Sequence, residues 1–112
     1  MNESILTSIK AQLGIQEEYT AFDQQLIIHI NSVFMVLNQL GVGPAAGFVI
    51  SDKTSVWRDF LPPDKNLEAT KSYIGMRVKM LFDPPTTSIV AESMNRMINE
   101  FEWRLNVEAE NK

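Results

Sequence analysis

The fold is decided by residues 66–106, which read NLEATKSYIGMRVKMLFDPPTTSIVAESMNRMINEFEWRLN. Two amphipathic patterns flank the break Asp83-Pro84-Pro85, and each repeats apolar residues at helical spacing. The first spans Asn66 to Phe82, with one face formed by Leu67, Thr70, Ile74, Val78 and Leu81. The second ends near Asn106, with one face formed by Val90, Met94, Met97, Ile98, Phe101 and Leu105. The stretch therefore predicts two helices and a tight connector, with Asp83, Thr86, Thr87 or Ser88 as the cap of the second helix.

Two further helices are predicted before this stretch. Residues 2–13 carry one apolar stripe, and Gly14 follows as a residue that enters the left-handed cap without strain. A second stripe runs from Phe22 to Leu40 and ends at Gly41, and Thr20 with Asp23 resembles a capping box at its start. Further apolar residues lie off this stripe: Ile27, Ile28, Met35 and Val36. Such a helix is central in its bundle or is covered by another subunit.

Residues 41–63 interrupt the bundle. A cluster of glycines with Pro44 predicts a loop, and Thr54 is expected to cap one or two helical turns that Pro62-Pro63 end. The sequence thus predicts one all-α domain over residues 1–112, a small helical bundle of four main helices plus a short helical turn in this insert. Residues 106–112 are expected to form a flexible tail.

Composition leaves little room for chemistry. The 112 residues carry a formal net charge of −4 and no cysteine, which excludes thiol catalysis and argues against a general nucleic-acid binder. His29 is the only histidine, and Gly41-Val42-Gly43-Pro44 follows a helix and lacks the Lys-Ser or Lys-Thr of a phosphate loop. The apolar-rich run from Leu26 to Leu37 is too short to cross a bilayer. We therefore expect no enzyme, no cofactor, no metal site and no membrane contact.

Seven residues are candidates for an interface. Trp103 lies about 200° round its helix from Phe101, so it either packs under the insert or forms an exposed anchor with Arg96 beside it. A second apolar stripe on the third helix is exposed on a lone subunit unless the first helix or the insert covers it. That stripe, and the two aromatic residues of the insert counted with it, are Tyr73, Met76, Met80, Trp57 and Phe60.

The charges of the third helix form a second candidate feature. Between residues 65 and 82 four basic residues oppose only Glu68, whereas residues 1–40 carry one basic and four acidic residues. One interpretation is a solvated helix face. Another is a charged contact in which this face meets an acidic helix of a neighbouring subunit, and a third is a face that lines a lumen or binds DNA. The basic residues are Lys65, Lys71, Arg77 and Lys79.

An ordered set of segments resembles the head–tail connector (adaptor) proteins of long-tailed, siphophage-type bacteriophages and their prophage relatives. The similar segments are FDQQLIIHINSV at 22–33, LGVGP at 40–44, WRDFL at 57–61, residues 73–85 and FEWRLN at 101–106. Together they cover residues 20–106 in the same order as in the family.

The resemblance implies a subunit of a ring of about a dozen copies beneath the portal protein, monomeric or assembled before it docks. The ring is expected to extend the DNA channel without binding DNA specifically and to meet a downstream neck or tail completion protein. Synthesis is expected in the host cytoplasm and the final location in the neck of the virion. The C-terminal segment is the expected portal side and the insert the expected subunit or tail side. The alternatives are a helical regulatory or interaction module that dimerises through helix two, and a DNA-binding module that uses helix three.

Overall fold

The computed structural model describes residues 3–62 and 66–110, and within them the fold is an all-α bundle, as predicted. Its helices are α1 (Ile5–Gln12), α2 (Asp23–Gln39), α3 (Trp57–Phe60), α4 (Leu67–Phe82) and α5 (Ser88–Glu110). Four of them are the predicted main helices, and α3 is the predicted short turn of the insert. A single bridge between Ser4 and Val56 is the one extended pairing in the described residues. Pro63, Lys65 and residues 111–112 lie outside them.

Helix α4 lies at the centre, since α1, α2 and α5 all pack against it. Four residues of its predicted core face are buried, whereas Leu81 in the last turn is half-exposed. At one end of the bundle the ring of Phe22, just before α2, contacts Phe82 at 5.1 Å between centroids. Because the start of α2 meets the end of α4, these two helices run antiparallel. The central helix is therefore α4. The sequence allowed α2 to be either the central helix or a helix covered by another subunit, and the first of these roles is wrong.

Lys10 holds together the loop between α1 and α2. Its side chain is only 2% exposed, and its Nζ donates to the carbonyls of Glu17 at 2.9 Å and Tyr19 at 2.7 Å. The same ammonium lies 2.9 Å from Asp23 Oδ1 as an ion pair, although this carboxylate oxygen is not aligned for a hydrogen bond. A buried charge is tolerated only with such partners, so one side chain sets the path of the whole loop.

Two predicted helix caps are wrong. Helix α2 begins at Asp23 without a side-chain cap, and Thr20 supplies only its carbonyl to the Asp23 amide. The physical reason is that the Asp23 carboxylate turns to Lys10 instead of reaching back toward the threonine. Thr54 likewise caps nothing, because its amide donates to Asp52 and α3 begins only after Val56. Helix α5 begins at Ser88, and the carbonyl of Thr87 just before it accepts a hydrogen bond from the Ala91 amide at 3.1 Å.

The last helix continues to Glu110 instead of ending near Asn106. Asn106 Nδ2 donates to the carbonyl of Leu40 at 3.2 Å, which ties this turn to the end of α2. One turn further on, Ala109 packs so closely on Gly41 that a Cβ there would lie 3.1 Å from its methyl group. These tertiary contacts order residues 107–110 as helix, although their sequence alone is polar.

The insert folds back onto α2. Asn31 exchanges two hydrogen bonds with the backbone of Ile50, at 2.9 and 2.8 Å. Phe34 of α2 packs its ring against Phe60 at 4.6 Å and against Phe48 at 5.2 Å between centroids. The insert therefore covers the subunit's own core, and an aromatic cluster holds it in place.

Candidate interaction surfaces

Three of the aromatic residues predicted to face a partner belong instead to the core. Trp57 and Phe60 are buried by the folded insert, and Tyr73 is completely buried between α4 and α5. Met76 and Met80 are half-buried and pack against the same core. The second apolar stripe of α4 is thus buried at Tyr73 and half-buried at Met76 and Met80 within one subunit, and this corrects the expectation that it is exposed.

The buried Tyr73 also makes a polar contact with α5. Its hydroxyl donates to the carboxylate of Glu102 at 2.7 Å. Burial of the phenol, with the hydrogen bond to Glu102, raises the pKa of Tyr73 well above its ordinary value near 10. The pair joins the middle of α4 to α5, and both the Tyr73 hydroxyl and the Glu102 carboxylate are engaged in the contact.

The basic residues of α4 each meet a carboxylate of the same chain. Lys71 Nζ lies 2.7 Å from Glu3 and 3.5 Å from Glu68. Burial disfavours the charged ammonium, but the hydrogen bond and charge of Glu3 outweigh this effect and raise the pKa of Lys71. The same hydrogen bond lowers the pKa of Glu3. The two charges therefore stabilise each other at the junction of α4 with the start of α1.

The other two basic candidates are paired on the same principle. Arg77 Nε lies 3.7 Å from Glu102 in an ion pair that is not a hydrogen bond, and its guanidinium lies 6.0 Å from the ring centroid of Tyr73. Lys79 Nζ lies 3.1 Å from Asp83 at the end of the helix. Phosphate binding needs basic groups that are free to replace counterions, and a face whose charges are already paired offers few of them.

The sequence left open whether Trp103 packs under the insert or is exposed, and in the structure it is exposed. Its side chain is 67% exposed, so it does not pack under the insert. Ile89 and Arg96 precede it at intervals of seven residues, which places all three along one side of α5, and both are exposed. We call Ile89, Arg96 and Trp103 the Trp103 ridge. A shallow hollow beside it is lined by Trp103, Arg104, Val107 and Glu108.

A second apolar surface lies on α2. Ile28 is 64% exposed, Met35 is 61% exposed, and Val49 of the insert is 71% exposed. Asn31, on the same side of α2, holds the neighbouring Ile50 by its two hydrogen bonds, so Val49 lies beside the helix. We call Ile28, Met35 and Val49 the outer face of α2. The sequence pattern marked the two helical residues as lying off the core stripe, but it gave no sign that Val49 would join them.

A third apolar surface lies on the first half of α5. Of the six residues in its predicted core stripe, only Ile98 and Leu105 are buried. Val90 and Met97 are half-exposed, and Met94 between them is half-buried. We call Val90, Met94 and Met97 the methionine flank. The predicted stripe therefore lies on one side of α5, but only its second half is buried in the subunit.

The described residues contain no comparable arrangement of side chains that could bind a metal ion. His29 is half-buried, its ring centroid lies 6.5 Å from that of Phe82, and its Nε2 is buried without a hydrogen-bond partner. In residues 3–62 and 66–110 no three histidines, aspartates or glutamates converge on a point that would suit a metal ion. The same residues contain no helix with the length and hydropathy needed to cross a membrane.

Comparison with protein families gives a match. A family model described as "Phage connector protein" matches residues 5–112. This span includes all five helices and the three apolar surfaces. Searches of curated proteins and of solved structures find no match to the chain.

Proposed function

The chain belongs to the phage connector protein family, and from this premise we propose that it is a structural adaptor subunit in the neck of a phage or prophage particle. The observation that carries the proposal is a family match that extends over nearly the whole chain. In this role the protein joins the DNA-filled head to the tail by binding other proteins. It is a component of the virion and performs no catalysis.

The exposed apolar surfaces support assembly into a ring beneath the portal protein. The outer face of α2 and the methionine flank leave large apolar side chains uncovered on one subunit. They differ from each other and belong to different helices, which is the arrangement that head-to-tail contacts require. Repetition of such a contact closes a ring when the rotation per subunit allows it.

The Trp103 ridge is the surface proposed for the portal. Tryptophan and arginine are enriched among the residues that anchor protein interfaces, and here both are exposed on the last helix. The Glu100–Arg104 ion pair, at 2.6 Å, lies beside the ridge and gives the apolar indole of Trp103 a polar border. Because the insert is folded onto α2, a downstream neck or tail protein would meet its outer surface and not its buried aromatic residues.

The charge distribution supports a channel that lets DNA pass. The chain carries a formal net charge of −4, and the three basic candidates on α4 have carboxylate partners. A channel wall of this kind holds few unpaired cations for the phosphates. Double-stranded DNA therefore moves through the ring without specific binding.

Deletion of the gene from its phage or prophage tests this function. We expect DNA-filled heads and separate tails in electron micrographs of the lysate, and tailed particles again when the wild-type chain is supplied from a plasmid. Mass spectrometry of purified virions should detect the chain in an amount similar to that of the portal. Normal tailed particles from the deletion strain would refute the proposal. A two-fold dimer that is absent from virions would favour a regulatory module instead.

A further inference from the structure

The outer face of α2 and the methionine flank of α5 are both formed by uncharged apolar side chains. Residues 24–51 contain no Asp, Glu, Lys or Arg, so no charged side chain of α2 or the first part of the insert borders Ile28, Met35 and Val49. On α5 the next charges along the flank, Glu100 and Arg104, are paired with each other. Charged residues are depleted from the centres of protein interfaces, and the three residues that define each of these two surfaces are all uncharged.

The two surfaces also match in spacing. Ile28 and Met35 are seven residues apart on α2, and Val90 and Met97 are seven residues apart on α5. Seven residues are two helical turns, about 10.5 Å along the axis. Large side chains at this interval from one helix fit between those of a second helix that lies alongside it. Methionine suits such a contact because its unbranched side chain adapts to the opposing surface.

The surfaces point in different directions on one subunit. Asn106 of α5 reaches the carbonyl of Leu40 at the end of α2. Met97 precedes Asn106 by nine residues, about two and a half turns, and therefore lies on the side of α5 opposite to α2. Ile28 and Met35 lie on the side of α2 away from its buried residues Leu26, Ile30 and Leu37. One molecule cannot bring its own two surfaces together, but two copies can.

We propose that the methionine flank of one subunit packs on the outer face of α2 of the next, in a head-to-tail contact between copies of this chain. The inference rests on the proposed function and adds the identity of the two surfaces at the subunit boundary. A large apolar side chain contributes on the order of 100 Å², so six of them bury about 600 Å². Stable interfaces bury about 1,200 Å² or more, so one such contact is weak and many in a closed ring reinforce one another.

A cross-linking experiment on the full chain tests the contact, since the chain has no cysteine of its own. Met35→Cys and Met97→Cys are made as separate, differently tagged proteins, mixed in equal amounts and treated with a short bismaleimide. Both methionines are exposed enough for the substitutions to preserve folding, which circular dichroism checks. We expect a mixed dimer, monomers from each variant alone, and a ladder of multimers from the double variant Met35→Cys/Met97→Cys.

The matched control is the pair Gln16→Cys and Asn99→Cys, two exposed positions outside both surfaces. The mixed Met35 and Met97 dimer should exceed the control product about tenfold because docking raises the effective concentration of the two thiols. Product at the control level would overturn the inference. Efficient cross-linking of Met35→Cys to itself would also overturn it, because α2 would then pair with α2 about a two-fold axis.

A charge swap gives a second measurement in the assembling phage. Met35→Glu and Met97→Lys should each weaken association at least about tenfold, because a charge must be buried among apolar groups. The double variant should restore tailed particles, because the two new charges meet across the boundary. Failure of both single variants to reduce assembly would refute the contact while leaving the adaptor function intact, since the gene deletion tests that function separately.

Discussion

Replacing Lys10 by methionine should destabilise the subunit strongly without disturbing its packing volume. Methionine keeps the apolar stem but loses the ammonium that binds two loop carbonyls and Asp23. Hydrogen bonds to a charged group contribute about 1.5–3 kcal/mol each. The Asp23 side chain is 22% exposed, and water will replace part of the lost contacts. We therefore expect a loss of about 2–4 kcal/mol in the free energy of unfolding.

For a chain of this length 1 kcal/mol corresponds to about 4 °C in Tm, so Lys10→Met should lower Tm by about 8–16 °C. Thermal unfolding followed by circular dichroism and urea unfolding measure the two quantities. Lys53→Met is the matched control, because Lys53 is exposed in the insert and its replacement should change stability by at most about 0.5 kcal/mol. A Tm for Lys10→Met within about 2 °C of the wild type would refute the role assigned to this lysine.

The remaining predictions concern two glycines and two aromatic residues. Gly75→Ala should raise stability by up to about 1 kcal/mol, since the Cβ meets only the end of a flexible glutamine; a loss above this value would contradict the geometry. Gly43→Ala should lower stability by more than about 2 kcal/mol, since its φ is +91° and the Cβ meets a buried ring; a neutral result would refute this. Trp103→Ala should leave Tm unchanged but abolish binding to the portal in pull-down assays, and lost helicity would show it to be core. The wild type should lose stability above pH 10, because the folded state keeps the Tyr73 phenol protonated while the unfolded chain releases the proton at its ordinary pKa near 10. Tyr73→Phe should remove this component of the pH profile, and an alkaline profile identical to that of the wild type would contradict the prediction.

Helical periodicity predicted the elements of the fold because the core is built from regular stripes. Leu67, Ile74 and Val78 repeat at helical spacing and are buried where that spacing places them. Gly14 and Gly41 mark helix ends correctly, with φ values of +78° and +87° that favour glycine. Local chemistry was enough for both results, because a stripe and a C-terminal glycine act within one helix.

Features that depend on distant parts of the chain were not predictable in this way. The start of α2 is governed by Lys10, thirteen positions before Asp23, and the end of α5 is governed by Gly41 far upstream. Neither partner has a local sequence signal. A buried lysine in particular looks like any solvated lysine until the loop that encloses it is known.

The same limit explains the candidate interface. Trp57 and Val49 are both apolar residues of one insert, yet the first is buried and the second is 71% exposed. Which of them is covered depends on how the insert folds over α2, and composition does not encode that order. Trp103 lies opposite a clear helical stripe, yet the spacing left open whether it packs under the insert or is exposed, and only the fold decides for exposure.

The charge-free stretch from residue 24 to residue 51 has a kinetic consequence. A surface without charge adds no electrostatic attraction, so subunits should meet no faster than the unsteered rate of about 10⁵–10⁶ M⁻¹s⁻¹. Added salt should not slow their association, because it screens the repulsion between copies that each carry a net charge of −4. Association should weaken on cooling, since apolar attraction fades at low temperature. Collection of copies on a scaffold, and not attraction through solution, would then set the pace at which a neck is completed.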